Sequence, residues 1–153
     1  MPLTDHLIRT DRAIKMIANY RGNQYAQLQS GSRDPDFHET KAVWIPIPEL
    51  EEYIKHLKTL GNVDGVRIYF SAYGSDNRES RFEYTNRQSI VLVPTVEGDL
   101  TNDSSYHQHR DVYNSRNEGL QTINLENPEN ISEGDQLSMF NEVQSWPPPP
   151  PFN

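Results

Sequence analysis

One stretch of the sequence decides the fold: Gly65-Val66-Arg67-Ile68-Tyr69-Phe70-Ser71-Ala72-Tyr73. Its side chains alternate in character at every position, which predicts a strand with one face in a core. We expect the core face to hold the apolar side chains, Val66, Ile68, Phe70 and Ala72. The opposite face is then formed by Arg67, Tyr69, Ser71 and Tyr73.

Two further strands are predicted on either side of this one. Residues 88–96 form an apolar run typical of a central strand, which Pro94 should stop. Because residues 65–73 and 88–96 are close in sequence, we expect them to pair antiparallel. Residues 42–47 read as a short edge strand, since Pro46 has no N–H to donate. A helix between residues 42–47 and 65–73 would allow a parallel crossover.

Two helices are predicted, at residues 4–21 and from Pro48 onward. Thr4 is a suitable N-cap for the first helix, and Gly22 is a suitable C-terminal stop. Pro48 suits the first helical position of the second, and Gly61 should end it. Residues 22–40 read as a loop. The predicted fold class is α+β, with a small mixed or antiparallel sheet and the two main helices on one face.

The last third of the chain differs in composition from the rest. We expect residues 1–97 to form a compact core and residues 98–153 a polar, loop-rich segment, with residues 98–130 least ordered. A short helix is predicted at residues 132–143. Five prolines at 147–151 predict a polyproline II rod. The segment from Trp146 to Phe152 either docks on the protein's own aromatic side chains or binds a proline-recognising domain.

The overall composition narrows the class of protein. The 153 residues suit one domain, with a hydrophobic fraction of 34%, a net charge of -8 and no cysteine. The absence of cysteine favours a reducing compartment, and no signal peptide or membrane span is visible, so we expect a cytoplasmic protein. Binding of nucleic acid through phosphates needs a basic face, which this acidic chain does not suggest.

Three motifs resemble a family of short, uncharacterised bacterial proteins. They are a tryptophan-led helix start at Trp44-Ile45-Pro46-Ile47-Pro48-Glu49-Leu50, a strand of the form G-[IV]-R-[IV]-Y-[FL] at residues 65–70, and an LVPT-like strand at Leu92-Val93-Pro94-Thr95. A proline-rich C-terminus is a further shared feature. The resemblance covers roughly residues 42–96 plus the tail. It supports the division into elements and implies no activity, because the family has none assigned.

The best candidate binding surface is the polar face of the strand at 65–73. Arg67, Tyr69 and Tyr73 combine a planar cation with two aromatic rings, a composition typical of recognition surfaces. The alternative is that these side chains pack beneath the first helix or the tail, with Arg67 lying across an aromatic ring.

A second candidate is a metal or acid–base site at residues 106–111. His107, His109 and Asp111 share one parity on an extended segment, so their side chains could point to the same side and hold a metal ion. The alternative is a solvated polar loop. The carboxylates Glu49, Glu51 and Glu52 are explained by the dipole of the helix that they begin.

No nucleophile elbow, phosphate-binding loop or dinucleotide fingerprint is present. The sequence therefore favours a non-catalytic interaction or ligand-binding protein that needs no cofactor and has a protein or small-molecule partner. One alternative is a small metal-dependent or acid–base hydrolase that uses the segment around His107 and His109. Another is an acidic antitoxin or immunity-type protein that binds a basic partner.

Overall fold

The computed structural model describes residues 2–74, 86–98, 109–115, 117–123 and 139, and the backbone of residues 144–146. It has the predicted α+β class, with a four-stranded antiparallel sheet. The helices are α1 (Thr10–Tyr20), α2 (Ala26–Gly31) and α3 (Ile47–Thr59). The strands are β1 (Ala42–Trp44), β2 (Val63–Ala72), β3 (Gln88–Glu97), β4 (His109–Ser115), β5 (Gly119–Thr122) and β6 (Gln144–Trp146).

The main sheet has the order β2-β3-β4-β5, so β2 is an edge strand among the described strands. The predicted antiparallel pairing of β2 with β3 is confirmed, with Ile68 opposite Leu92 and Phe70 opposite Ile90. The predicted parallel crossover is wrong. Strand β1 pairs antiparallel with β6 in a separate two-stranded sheet, in which Ala42 lies opposite Trp146.

Helix α3 forms the core together with β3. The helix begins with Pro48 in its first turn, and Gly61 follows its end with a φ of 123°, a conformation that glycine adopts without strain. Tyr53, Leu57 and Leu92 are buried together. The Tyr53 hydroxyl also donates a 3.1 Å hydrogen bond to the backbone carbonyl of Leu92, so the helix is held to β3 by both packing and a polar contact.

The predicted orientation of β2 is wrong. Val66, Ile68 and Phe70 are exposed, at 38%, 58% and 80% of their full surface, while the odd-numbered positions from Arg67 to Tyr73 are half-buried. The reason lies in the placement of α3. The helix packs over Leu92 on β3, and Val63 at the start of β2 packs against the same core, whereas Val66, Ile68 and Phe70 lie further along the edge strand and remain exposed.

The edge of β3 beyond its short ladder with β4 is capped by side chains. Gln88 donates its backbone N–H to Oε1 of the buried Glu39 at 2.7 Å, and the Leu92 carbonyl accepts from Tyr53. Pro94 lies inside β3 and does not stop it, contrary to the prediction. The ladder with β4 begins at Thr95, so no N–H is required from residue 94.

The first helix differs from the predicted one in its bounds. Residues Leu3–His6 form a 3₁₀ turn, and α1 begins only at Thr10. Gly22 does not end it, because a π-helical turn at Arg21–Tyr25 leads directly into α2. The predicted loop at residues 22–40 is therefore helical as far as Gly31. None of the side chains of α1 is buried.

Residues 98–130, predicted to be the least ordered part of the chain, contain two regular strands. Strands β4 and β5 both lie in this range, and they form a hairpin whose turn uses Gly119 at a φ of 72°. β4 has an alternating polar sequence that resembles a loop in composition, yet Val112 is buried at 2% exposure. The predicted helix at 132–143, apart from Met139, and the prolines at 147–151 lie outside the described residues.

Candidate functional site

A β-bulge at the start of β2 brings Asp64 to the polar side of the sheet, which also holds Arg67 and Tyr69. Val63 pairs with Val96 and Gly65 pairs with Thr95, so Asp64 is an extra residue in β2. Such a bulge shifts the strand by one position and redirects the side chain of the extra residue. Here it places the Asp64 carboxylate next to Thr95, whose hydroxyl donates a 2.7 Å hydrogen bond to Oδ1.

Arg67, Tyr69 and Asp111 form the centre of this side. Arg67 Nη1 donates to Oδ1 of Asp111, and the Tyr69 hydroxyl donates to Oδ2 of the same carboxylate. Arg67 Nη2 also donates to the backbone carbonyl of His109 at 2.8 Å. Both oxygens of Asp111 are thus occupied, and the residue is buried, at 8% exposure.

His109 connects the two parts of the cluster. Its Nδ1 lies 2.6 Å from Oδ2 of Asp64, and its ring is about half exposed. We call the six residues linked in this way the polar network: Asp64, Arg67, Tyr69, Thr95, His109 and Asp111. Within it the carboxylate of Asp111 is paired with the guanidinium of Arg67, and the carboxylate of Asp64 with the imidazole of His109.

The electrostatics of the network follow from these contacts. Burial raises the pKa of Asp64, but the hydrogen bonds from Thr95 and His109 and the charge of His109 outweigh it, so the pKa lies below its usual value. Burial raises the pKa of Tyr69, and the hydrogen bond to Asp111 raises it further despite the opposing effect of Arg67. Tyr69 is therefore a neutral donor in the network.

The predicted binding residues lie on the same side of the sheet, and their polar groups are hydrogen-bonded to other residues of this chain. Arg67 and Tyr69 direct their polar groups to Asp111, and the Tyr73 hydroxyl accepts a 3.3 Å hydrogen bond from Ser89. All three of the predicted residues are half-buried. Whether they bind a partner stays a prediction, and their present contacts are structural.

The predicted metal ligands are only partly placed. His107 lies outside the described residues, while His109 and Asp111 contact Asp64 and Arg67 respectively. In the part of the chain that the structure describes, no three His, Cys, Asp or Glu side chains are grouped so that they could hold a metal ion. The two predicted ligands that the structure describes, His109 and Asp111, have hydrogen-bond partners instead.

The opposite side of β2 presents the feature that the sequence analysis missed. Val66, Ile68 and Phe70 form a continuous exposed stripe, which we call the apolar edge. Alternation distinguishes the two faces of β2, but it predicts that the stripe lies in the core, because large apolar side chains are usually buried. Exposed apolar stripes are uncommon on edge strands, because native proteins usually shield such edges.

A cleft lies between the apolar edge and the helical segment, by which we mean α1, the π-helical turn and α2 at residues 10–31. It has a volume of about 720 Å³, and its walls include Met16, Tyr20 and Leu28 on one side and Phe70 and Gln88 on the other. Tyr20 bridges the cleft by donating a 3.0 Å hydrogen bond to Oε1 of Gln88. Burial, followed by the negative charge of Glu39, raises the pKa of Tyr20. The hydroxyl is therefore kept protonated as a donor.

Comparisons with known proteins add no family to this description. No protein-family model, curated protein or solved structure matches the chain. The resemblance at residues 42–96 therefore stays a prediction. Among the described residues, no helix has both the length and the apolar character needed to cross a lipid bilayer.

Proposed function

We propose that this chain is a non-catalytic, cytoplasmic interaction protein that binds a protein partner through the apolar edge. The observation behind the proposal is the rising exposure of Val66, Ile68 and Phe70 along an edge strand. Scattered apolar residues on a surface need no explanation, but three at alternate positions of one strand form a stripe. Such a stripe gives a partner specific apolar contacts, and the adjacent backbone offers hydrogen bonds.

The polar network supports the same function from the other side of the sheet. Its contacts fix β2 to β4 through Arg67 and Asp111, so the strand is held rigidly. A rigid edge loses little conformational entropy when a partner binds. The network therefore prepares the apolar edge for binding without needing to touch the partner.

Site-specific photo-crosslinking in cells tests this proposal. A photoreactive amino acid at position 68 should give protein adducts, because Ile68 lies in the middle of the apolar edge. The matched control is position 47, since Ile47 is also an exposed isoleucine, at 70%, but lies at the start of α3. Adducts that require position 68 support the proposal. No adducts, or the same adducts from both positions, would contradict it.

The pairing of His109 with Asp64 favours a second candidate, an acid–base hydrolase. A carboxylate at Nδ1 orients the imidazole and supports proton transfer at Nε2, and His109 is exposed enough to meet a substrate. Hydrolysis of simple esters by the purified protein tests it. Activity that is lost in His109→Gln but kept in the control His56→Gln supports a hydrolase, whereas equal rates with both variants would exclude this role.

A further inference from the structure

We propose that the partner at the apolar edge is a second copy of this chain, joined by antiparallel pairing of β2 with β2 about a two-fold axis at Ile68. This inference rests on the proposed function and specifies its partner. It would extend the main sheet across the axis, with Ile68 facing Ile68 and Val66 facing Phe70 of the other copy. An interface of this kind uses the same surface on both partners.

The backbone hydrogen-bonding groups of β2 alternate between the side of β3 and the outer side. Tyr73 donates its N–H to the carbonyl of Arg87, so the odd-numbered residues of β2 direct their backbone groups at β3. On β3, the Leu92 carbonyl and the Gln88 N–H are bonded to side chains instead of to β2. These even-numbered backbone groups therefore point away from β2, which agrees with the same alternation. The even-numbered residues of β2 therefore present their N–H and C=O groups outward, where no described strand pairs with them.

Among the described residues, the outer edge of β2 beyond the bulge at Asp64 is not shielded. Solitary edge strands are usually shielded by proline, by an outward-pointing charge or by a short length. β2 has ten residues and no proline, and its only charged side chains, Asp64 and Arg67, are held in the polar network. Within the described part of the chain, the outer edge from Val66 to Ala72 is thus open to another strand, and a second β2 offers the same length and apolar character.

The register follows from charge and parity. Pairing must keep the even-numbered positions opposite one another, because these positions have the outward backbone groups. An axis at Arg67 would place two arginines directly opposite each other, which is destabilising. An axis at Ile68 instead places Arg67 opposite Tyr69 and pairs all three residues of the apolar edge. It also uses nearly the whole length of the strand.

The charge distribution favours a second copy over an unrelated partner. Residues 2–33 contain five Lys or Arg and only two Asp or Glu, a net charge of +3 in a chain whose total is -8. The remaining residues therefore have a net charge of -11. The helical segment lies beside Phe70 across the cleft, next to the proposed axis. There its positive charge would offset the repulsion between the acidic remainders of the two copies.

The available area is adequate for a dimer. Five exposed apolar side chains at or beside the cleft contribute on the order of 500 Å² at roughly 100 Å² each; they are Met16, Leu28, Val66, Ile68 and Phe70. A standard interface buries about 800 Å² per partner. The backbone edge of β2 and its flanking polar side chains would supply the rest.

Sedimentation of the purified chain tests the proposal. We expect a species of twice the 17.7 kDa chain mass, and Ile68→Lys should weaken its association by about 100-fold because two like charges meet at the axis. Ile47→Lys is the matched control and should associate like the unchanged protein. Circular dichroism of both variants establishes that they are folded, as expected for exposed positions.

Crosslinking tests the register, and it is simple because the chain has no native cysteine. Ile68→Cys should join to itself through a short bis-maleimide, whereas Phe70→Cys should not, since the two copies of residue 70 would lie about 13 Å apart along the strand. A monomer at all concentrations, or a dimer indifferent to Ile68→Lys, would overturn the proposal. Position-specific adducts with a different protein would overturn the dimer alone and leave the proposed function standing.

Discussion

Arg67 on β2 donates a hydrogen bond to the carboxylate of Asp111 on β4, 44 residues further along the chain. The two strands are not neighbours, because β3 lies between them and contributes Thr95 opposite both Gly65 and Asp111. The contact therefore spans three strands on one face of the sheet. The other face of β2 is left exposed at Val66, Ile68 and Phe70.

The polar network should contribute measurably to stability. Tyr69→Phe removes a hydrogen bond to a buried carboxylate and should lower the free energy of unfolding by about 1–3 kcal/mol. Tyr113→Phe is the control, because Tyr113 is also half-buried and has no hydrogen bond seen among the described residues. Urea unfolding measures both. Equal losses in the two variants would show that the Tyr69 hydroxyl has no special partner.

The core depends on β3 more than on β2. Leu92→Ala should cost about 2–5 kcal/mol because Leu92 is buried beneath α3, while Phe70→Ala should cost under about 1 kcal/mol because its ring is 80% exposed. Chemical unfolding of the two variants at low concentration, where association is minimal, gives the comparison. A larger loss from Phe70→Ala would mean that the faces of β2 are assigned incorrectly.

The sequence was sufficient for the elements of β2, β3 and α3, because alternation, apolar length and end signals are local properties. The face of β2 was predicted wrongly for a physical reason. Period-two alternation separates two faces, but only the position of α3 over Leu92 decides which face is covered. That position depends on packing between distant parts of the chain.

The candidate site was predictable only in part. Arg67 and Tyr69 were correctly placed on one face, yet their partner Asp111 and the pair of Asp64 with His109 join residues more than 40 positions apart. No spacing rule connects residues at such a separation. Asp64 had one local signal, since it precedes Gly65 at the start of a strand, where bulges are common.

Acid should weaken the fold through Asp64. Its pKa in the folded protein is lowered, so its contribution to stability is full above the pKa of the unfolded chain and is lost as the pH falls through the folded value. The melting temperatures of the unchanged protein and Asp64→Asn should therefore differ near neutral pH and converge in strong acid. A constant difference between about pH 7 and about pH 2 would contradict this role.

Alkaline conditions should act through Tyr53. Burial raises its pKa to about 12, so folding favours the neutral phenol. The associated stability is present below the pKa of an unfolded tyrosine, near 10, and is lost as the pH rises towards the folded value. Tyr53→Phe cannot ionise and should lose less stability over this range. Ultraviolet titration should also show one tyrosine that ionises late, and its absence from Tyr53→Phe would identify it.

Hydrogen exchange at the amide of Ile68 reports directly whether the outer edge of β2 is paired with a second copy. We expect the Ile68 N–H to exchange slowly in concentrated protein, where a second β2 accepts its hydrogen bond, and quickly on dilution. The Tyr69 N–H, which points towards β3, should remain protected at both concentrations. An Ile68 amide that exchanges rapidly at every concentration, with Tyr69 still protected, would contradict the pairing of β2 with a second copy.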